Sequence, residues 1–196
     1  KKVFLKFMHW LRFQKKCAFH ATDALEAAHI RQRLGDEVRL YEAGNFARKI
    51  PALTLPVKEP GHLKLISIAL ISPMKNILLV LQSLEHCKAQ VLYDIYGPVK
   101  ELGYWELCLE QIRKLPQNIT VQYHKEVSPL LVPEKLAHAQ VFIMPSKSEN
   151  FGHSIYEALS AGLPVITSHH TPWNDLEIGQ AGINVSLESA AIQTAI

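Results

Sequence analysis

The chain has 196 residues, of which 48% are hydrophobic and 20% charged, a composition typical of a folded globular protein and not of a disordered one. Its formal net charge of +3 is too small to indicate a nucleic-acid-binding protein. The three cysteines lie far apart and form no C-x-x-C motif, which favours a reducing compartment over a disulfide framework and predicts a cytoplasmic location.

Residues 1–16 are predicted to form an amphipathic helix, in which Phe4, Phe7, Met8 and Leu11 recur at helical spacing among basic side chains. Two interpretations of this helix stay open. One is a peripheral contact with the inner face of a membrane, because basic amphipathic helices bind membrane surfaces. The other, which we favour, is packing against a part of the protein that this sequence does not contain. The chain does not begin with Met, and we expect a piece of a longer protein.

Residues 17–42 are predicted to form a short β-α-β unit, with strands over 17–21 and 37–42 and a helix from Thr22 or Asp23 to Leu34. Residues 46–62 are rich in Pro, Gly, Lys and Glu, a composition typical of a linker. We therefore predict two domains. Residues 1–55 form the tail and linker of the first, and residues 56–196 form the second.

From residue 63 onward, short apolar runs alternate regularly with helical patterns. This alternation predicts an α/β fold, namely a Rossmann-like, doubly wound parallel sheet with helices on both faces. Ligands bind such sheets outside the carboxyl ends of the strands, so the loops that follow strands are the ones to inspect. The predicted strands are 63–71, 91–96, 119–123, 140–144, 164–167 and 183–185, and the helices between them are 75–86, 104–115, 133–138 and 154–161.

The loop after the fourth of these strands carries the most informative pattern, Glu149-Asn-Phe-Gly-His-Ser-Ile-Tyr-Glu157. The N–H groups at a helix start attract phosphate, Gly152 allows a ligand to approach the backbone closely, and Ser154 is a plausible cap. Glu149 lies just before the helix and Glu157 about one turn inside it. Both carboxylates can therefore face the crevice and accept hydrogen bonds from sugar hydroxyls. The residues alone leave open the alternative that both are ordinary solvated charges.

Two further loops supply candidate binding residues. Lys75 begins a helix at the crevice, where a cation suits an anionic partner such as a diphosphate, although an exposed lysine is the alternative. Thr171 and Trp173 follow the fifth strand and can line the pocket, or Trp173 can serve packing alone. The adjacent His169 and His170 share no face, so no metal site is predicted. The sequence has no P-loop, and no G-x-G-x-x-G follows a strand, so no dinucleotide cofactor is predicted.

These loops together resemble the retaining glycosyltransferases of family 4, which have the GT-B fold. The stretch from Glu149 to Ile166 carries the E-x7-E motif of that family in the E-N-F-G-H form of a bacterial subgroup, which also has T-P-W, here Thr171 to Trp173. Further matches are Ser72-Pro-Met-Lys75-Asn76 and Ile95-Tyr-Gly-Pro98. The resemblance covers residues 17–188. It implies a C-terminal donor-binding domain, preceded by the last β-α-β unit of an acceptor-binding domain that is mostly missing.

The resemblance implies a role for each matching residue. Lys75 and Glu149 are the catalytic residues, and they bind the diphosphate and the sugar hydroxyls, respectively. Glu157 holds the ribose, the backbone of residues 151–153 contacts the sugar and the phosphate, and the 124–129 loop lines the base. The substrate-binding residues are Phe151, Gly152, His153, Ser154, Glu157, Thr171 and Lys125.

The activity implied is hexosyl transfer with retention, from a nucleotide-diphosphate sugar to a glycan or lipid-linked acceptor, in polysaccharide or glycoconjugate synthesis. The resemblance implies neither a metal nor a cofactor, and the isolated fragment is expected to be inactive. Two positions depart from the family. Leu70 stands where an Arg usually pairs with the Lys on the diphosphate, and Lys125 stands where a Gly is usual. Leu70 favours one alternative, a nucleotide-sugar-binding module or inactive relative, and a nucleotide-sugar epimerase of similar architecture is another.

Overall fold

A small parallel β-α-β unit lies at the amino-terminal end of the described chain. The computed structural model describes residues 6–8, 10–22 and 24–196, and it divides into two compact units, Lys1–Phe46 and Ala47–Ile196. In the first unit, strands β1 and β2 pair in parallel with Ala18 opposite Arg39. Its elements are α1 (Phe13–Lys16), β1 (Ala18–Ala21), α2 (Ala24–Leu34) and β2 (Arg39–Glu42).

The predicted helix over residues 1–16 is interrupted. Residues 6–8 and 10 are helical, but Leu11 and Arg12 form a turn before α1 begins. Arg12 has a φ of 51°, in the left-handed region that a continuous right-handed helix cannot contain. Phe4 of this predicted helix and Asp23, one of the two predicted starts of the next helix, lie outside the described residues. No helix in the described ranges is long and apolar enough to cross a membrane.

The segment 47–55, which the sequence analysis assigned to the linker, belongs to the second unit. It contains neither helix nor strand, as the linker composition predicted, but two of its apolar residues are anchored. Ile50 is 1% exposed, and its N–H donates to the Ser160 hydroxyl at 2.9 Å. The N–H of Leu53 donates to the carbonyl of Ala161 at 2.9 Å. The division between the two compact units falls at residues 46 and 47, at the start of the segment 46–62 whose composition predicted a linker.

The second unit is built on a sheet of six parallel strands with helices on both faces. The elements are β3 (His62–Ile68), α3 (Ile77–Leu84), β4 (Gln90–Tyr96), α4 (Leu102–Lys114), β5 (Ile119–Tyr123), α5 (Val132–Ala137), β6 (Val141–Met144), α6 (His153–Ser160), β7 (Val165–Ser168), β8 (Gly182–Val185) and α7 (Ser189–Ala195). The strands lie in the order β5-β4-β3-β6-β7-β8, and one hydrophobic cluster packs against each side of the sheet. The predicted fold class is confirmed.

Two boundaries differ from the prediction in ways that matter for the site. Strand β3 ends at Ile68, and Ile71 makes only an isolated bridge to Val99. Helix α3 begins at Ile77 because Asn76 has a φ of 62°, so Lys75 lies in the turn before the helix and not in its first turn. The chain therefore leaves the sheet early and forms an irregular segment over residues 69–76, at the carboxyl end of the central strand.

Candidate functional site

The strand order places one crevice at the carboxyl end of the sheet. Strand β3 pairs with β4 on one side and with β6 on the other, so successive connections run in opposite directions from β3. In open parallel sheets, the loops that leave two such strands diverge and leave room for a ligand. Here these loops are residues 69–76 after β3 and 145–152 after β6.

Lys75 and Glu149 meet in this crevice. The Lys75 ammonium donates a hydrogen bond to Glu149 Oε1 and forms an ion pair with it. The Glu149 side chain is 8% exposed and the Lys75 side chain 22%, so Glu149 is not a solvated loop charge. The Ser146 hydroxyl donates to the same carboxylate oxygen at 2.7 Å. The Lys147 N–H donates to the carbonyl of Met74 at 2.8 Å, which ties the two loops together beside the ion pair.

Helix α6 begins at this crevice without a side-chain cap. Its N-cap is Gly152, with a φ of 78° and a ψ of 61°. Ser154 was expected to cap the helix, and this expectation is wrong, because the left-handed Gly152 makes His153 the first helical residue. The Ser154 hydroxyl lies 3.7 Å from the Met144 sulfur instead. Within the described chain, the N–H groups of residues 152–155 donate to no protein acceptor, which leaves the positive end of the helix dipole open to an anion.

An aromatic cluster surrounds the start of α6. Phe151 packs against His153, Tyr156 and Trp173, with ring centroids 5.0, 5.9 and 5.5 Å away, respectively. The indole N–H of Trp173 donates to the carbonyl of Phe151 at 2.6 Å. Trp173 is therefore both a packing residue and a hydrogen-bond donor to the backbone of the E-N-F-G-H segment.

Glu157 lies one turn into α6 and is partly buried. Burial raises the pKa of its carboxyl because it disfavours the charged form, while Arg48 and His153 act in the opposite direction. The Arg48 guanidinium also donates to the carbonyl of Pro129, at the end of the loop after β5. This arginine therefore links the surroundings of Glu157 to the 124–129 loop.

Two predicted site residues, Thr171 and Lys125, do not belong to the loops after β3 and β6. Thr171 is 4% exposed, and its hydroxyl donates to the Ser168 carbonyl and accepts from the Trp173 N–H, so it organises the loop from within. Lys125 follows β5, which is separated from β3 by β4. Its φ is 60°, a conformation that glycine adopts without strain, and its carbonyl accepts the Gly97 N–H at 2.7 Å.

Two residues beside the predicted site residues, Ser146 and Asp94, were not predicted from the sequence. Ser146 is fully buried against Glu149, and the one signal for it was its place in the same loop. Asp94 accepts a hydrogen bond from His124, and the His124 ring stacks on Tyr96 at 4.5 Å. Their contact needs β4 and β5 side by side, which no local pattern reveals. No group of three or more His, Cys, Asp or Glu able to hold a metal ion occurs among the described residues.

Comparison with known proteins identifies the family to which the chain belongs. Residues 56–182 match the family described as glycosyl transferases group 1. The O-antigen chain mannosyltransferase B of Escherichia coli is 28% identical over 153 residues, which cover 74% of this chain and 39% of that protein. The chain thus spans about two fifths of that relative's length.

Two solved structures have the same fold at low sequence identity. HepE from Anabaena, in complex with UDP and glucose, has a TM-score of 0.72 and 16% identity, covering 99% of this chain and 56% of its own. Sucrose-phosphate synthase from Thermosynechococcus elongatus has a TM-score of 0.72 and 17% identity, covering 100% of this chain and 51% of its own. At these identities the likeness concerns the fold alone.

Proposed function

Since the chain belongs to the glycosyl transferases group 1 family, we propose that it is the nucleotide-sugar-binding part of a retaining glycosyltransferase. The enzyme transfers a hexosyl group from a nucleotide-diphosphate sugar to an acceptor hydroxyl in polysaccharide or glycoconjugate synthesis. The observation that carries the proposal is the Lys75–Glu149 ion pair beside the uncapped start of α6. It brings a cation, a carboxylate and free amide groups together at the carboxyl edge of a doubly wound sheet.

In the proposed site, Lys75 and the amide groups of residues 152–155 bind the diphosphate. The Lys75 ammonium is positive and its side chain is 22% exposed, and the free amide groups form the positive end of the helix dipole, so both stabilise the charge that develops on the diphosphate as it leaves. No metal is needed for this step, because the protein supplies the positive charge. Glu149 accepts hydrogen bonds from sugar hydroxyls, Glu157 from the ribose, and the 124–129 loop with Lys125 contacts the base.

The reaction breaks the bond between the anomeric carbon and the diphosphate oxygen, and forms a bond from the acceptor oxygen to the same face of that carbon. The acceptor proton passes to the departing phosphate oxygen, so the diphosphate acts as the base. This route needs no protein general base. It fits a site in which the carboxylate nearest Lys75 is already paired and hydrogen-bonded by Ser146.

The comparisons support the substrate classes. The Escherichia coli relative is named for mannosyl transfer to an O-antigen chain, and HepE was solved with UDP and glucose. We extend these classes to this chain as a nucleotide-sugar donor and a glycan or lipid-linked acceptor, in the cytoplasm and at the inner face of a membrane. The chain spans only part of each relative, so we propose that acceptor binding and sugar transfer need a longer protein.

A thermal-shift screen against UDP-glucose, GDP-mannose and ADP-glucose tests donor binding. A ligand that binds the folded chain stabilises it by mass action, by ~2.7 kcal/mol at a concentration of 100 Kd, so one of the three raises Tm. Lys75→Gln, which keeps a hydrogen-bond donor beside Glu149 but removes the charge, then weakens binding by about tenfold or more. Lys114→Gln, at the exposed end of α4, is the matched control and changes nothing. No stabilisation by any nucleotide sugar contradicts the proposal.

One alternative function has an observation of its own. Leu70 is 45% exposed in the segment after β3, where the family resemblance expects an Arg on the diphosphate, and this favours a binding module without turnover. The full-length protein with donor and acceptor distinguishes the two. Formation of glycosylated product supports transfer, whereas tight donor binding without release of nucleoside diphosphate supports the module. Leu70→Arg then strengthens donor binding in either case.

A further inference from the structure

The loop after β7 carries a tryptophan whose backbone is held from both sides. The Trp173 carbonyl accepts a hydrogen bond from the Asn184 side chain on β8 at 2.7 Å, and its N–H donates to the Thr171 hydroxyl at 3.4 Å. Thr171 is itself anchored on the Ser168 carbonyl at 3.2 Å. Because β7 and β8 pair in parallel up to Ser168 and Val185, the loop is fixed to the rigid part of the sheet.

The indole of Trp173 transmits this rigidity to the start of α6. Its N–H donates to the Phe151 carbonyl at 2.6 Å, and its ring meets the Phe151 ring edge-on. The indole also lies against Gly152, since a Cβ built on Gly152 would stand 3.4 Å from the indole nitrogen. Trp173 therefore contacts both residues of the peptide unit that joins Phe151 to Gly152.

Because a peptide unit is planar, the hydrogen bond to the Phe151 carbonyl also fixes the direction of the Gly152 N–H. The Phe151–Gly152 peptide is trans, so its C=O and N–H bonds point in opposite directions within one plane. When Trp173 holds the carbonyl on its own side, the Gly152 N–H points away from the indole. Gly152 is buried, and its N–H donates to no acceptor in the described part of the chain. A buried N–H without a protein partner is rare, and a ligand is one way to satisfy it.

We infer that Trp173 is a positioning residue, which aims the Gly152 amide at the part of the donor beyond the first phosphate. The inference rests on the proposed function. The Gly152 N–H would act like the hydrogen-bond donor of an oxyanion hole. Such a donor stabilises a negative charge most strongly when it is already oriented before the ligand binds. If the indole hydrogen bond is lost, the Phe151–Gly152 peptide can rotate, and the amide then loses its direction while the aromatic packing remains.

The test separates the indole N–H from the ring. Trp173→Phe keeps an aromatic ring against Phe151 and Tyr156 but has no hydrogen-bond donor. Calorimetry compares two ligands, namely whichever of UDP-glucose, GDP-mannose and ADP-glucose binds the unmodified chain best, and the matching nucleoside monophosphate. We expect Trp173→Phe to weaken nucleotide-sugar binding about three- to tenfold, the effect of one hydrogen bond, and to change monophosphate binding less than about twofold.

A matched control is Trp105→Phe on helix α4. Trp105 packs on Tyr123 with ring centroids 4.5 Å apart, and its indole makes no hydrogen bond within the described chain, so both affinities stay unchanged. If Trp173→Phe weakens both ligands equally, or neither, the positioning role is overturned while the proposed function stands. If the unmodified chain binds no nucleotide sugar, the proposed function fails, and the role of Trp173 fails with it.

Discussion

Lys75 and Glu149 form an ion pair, and in the proposed function its two members bind different parts of the donor. Both charges are held mostly out of water, where an unpaired charge is strongly disfavoured. A diphosphate that approaches Lys75 therefore competes with Glu149 for the ammonium. A sugar brings hydroxyl donors, which satisfy Glu149 in place of Lys75. The pair thus favours a ligand that carries both groups over a free nucleoside diphosphate.

Competition within the Lys75–Glu149 pair predicts that Glu149→Gln has opposite effects on the binding of a free nucleoside diphosphate and of a nucleotide sugar. Glu149→Gln leaves Lys75 without a counter-charge, so the free nucleoside diphosphate binds about two- to fivefold more tightly, the worth of a partly exposed ion pair. The nucleotide sugar binds more weakly, because a neutral amide is a poorer acceptor for sugar hydroxyls. Calorimetry with both ligands measures the difference. Glu37→Gln, which removes the carboxylate of the exposed pair with Lys15, is the control. Weaker diphosphate binding to Glu149→Gln would argue against competition within the pair.

Glu157 gives a prediction about pH. Burial raises its pKa in the folded chain, so the folded state holds this proton more tightly than the unfolded state. The contribution of Glu157 to the free energy of unfolding is therefore most favourable at acid pH and declines as pH rises through the ordinary and then the raised pKa. Glu157→Gln removes this penalty. We expect a Tm higher by a few degrees (about 4 °C at most) at pH 7, and no difference near pH 4.

The same variant binds the nucleotide sugar less well if Glu157 holds the ribose, so stability and affinity change in opposite directions. Differential scanning calorimetry at the two pH values gives the first, and titration with the donor gives the second. An equal gain in Tm at both pH values would mean that the effect does not come from ionisation of Glu157.

At the scale of elements, local patterns predicted most strands and helices but missed helix α7, and they could not predict which strands lie side by side. The alternation of apolar runs gave all six strands of the second unit and the crevice loops. It placed Lys75 and Glu149 each at a crevice, yet it could not reveal their ion pair, because the two residues are separated by 74 positions and meet only where β3 and β6 are neighbours. The helix starts were misjudged for a local reason. Asn76 and Gly152 are left-handed, and a side-chain capping rule does not anticipate this.

Gly97, which follows β4, contacts the backbone that follows β3 and the backbone that follows β5. Gly97 follows β4 with a φ of 138°, and a Cβ there would stand 1.8 Å from the Ala69 carbonyl oxygen after β3. Its N–H donates to the Lys125 carbonyl after β5. Gly97→Ala therefore collides with backbone that the sheet holds in place. We expect it to lower the free energy of unfolding by about 3 kcal/mol or more.

Gly103→Ala is the matched control for Gly97→Ala. Gly103 lies in helix α4 with an ordinary φ and open space where a Cβ would be. Alanine favours the helix there by about 0.5–1 kcal/mol, so this variant is more stable than the unmodified chain. Urea denaturation of the three proteins measures both effects. A Gly97→Ala variant as stable as the unmodified chain would mean that the strand ends are free to move apart.

At the scale of the whole molecule, the chain comprises two compact units, and the second is built around one parallel sheet. The family match begins at residue 56, whereas the compact units are divided at residues 46 and 47. The physical cause is the segment 47–55, which has no regular structure of its own and is held by Ile50 and Leu53 against the end of α6. The end of α6, the helix that carries Glu157, is thus held in place by residues that precede the matched family region.

Two shorter chains test which boundary is physical. Residues 47–196 keep the contacts of Ile50 and Leu53, whereas residues 56–196 lose both of their backbone hydrogen bonds and expose the surface that Ile50 covers. Removing one buried isoleucine side chain alone destabilises a core by about 2–5 kcal/mol. We therefore expect the 56–196 chain to unfold at a urea concentration well below that of the 47–196 chain, and to bind the donor more weakly because the end of α6 is loosened.

Ile50→Ala in the 47–196 chain should reproduce most of the loss in stability, whereas Val57→Ala, at an exposed position, should not. Equal urea midpoints for the two chains would place the boundary at residue 56 and would mean that the 47–55 segment does not stabilise the second unit.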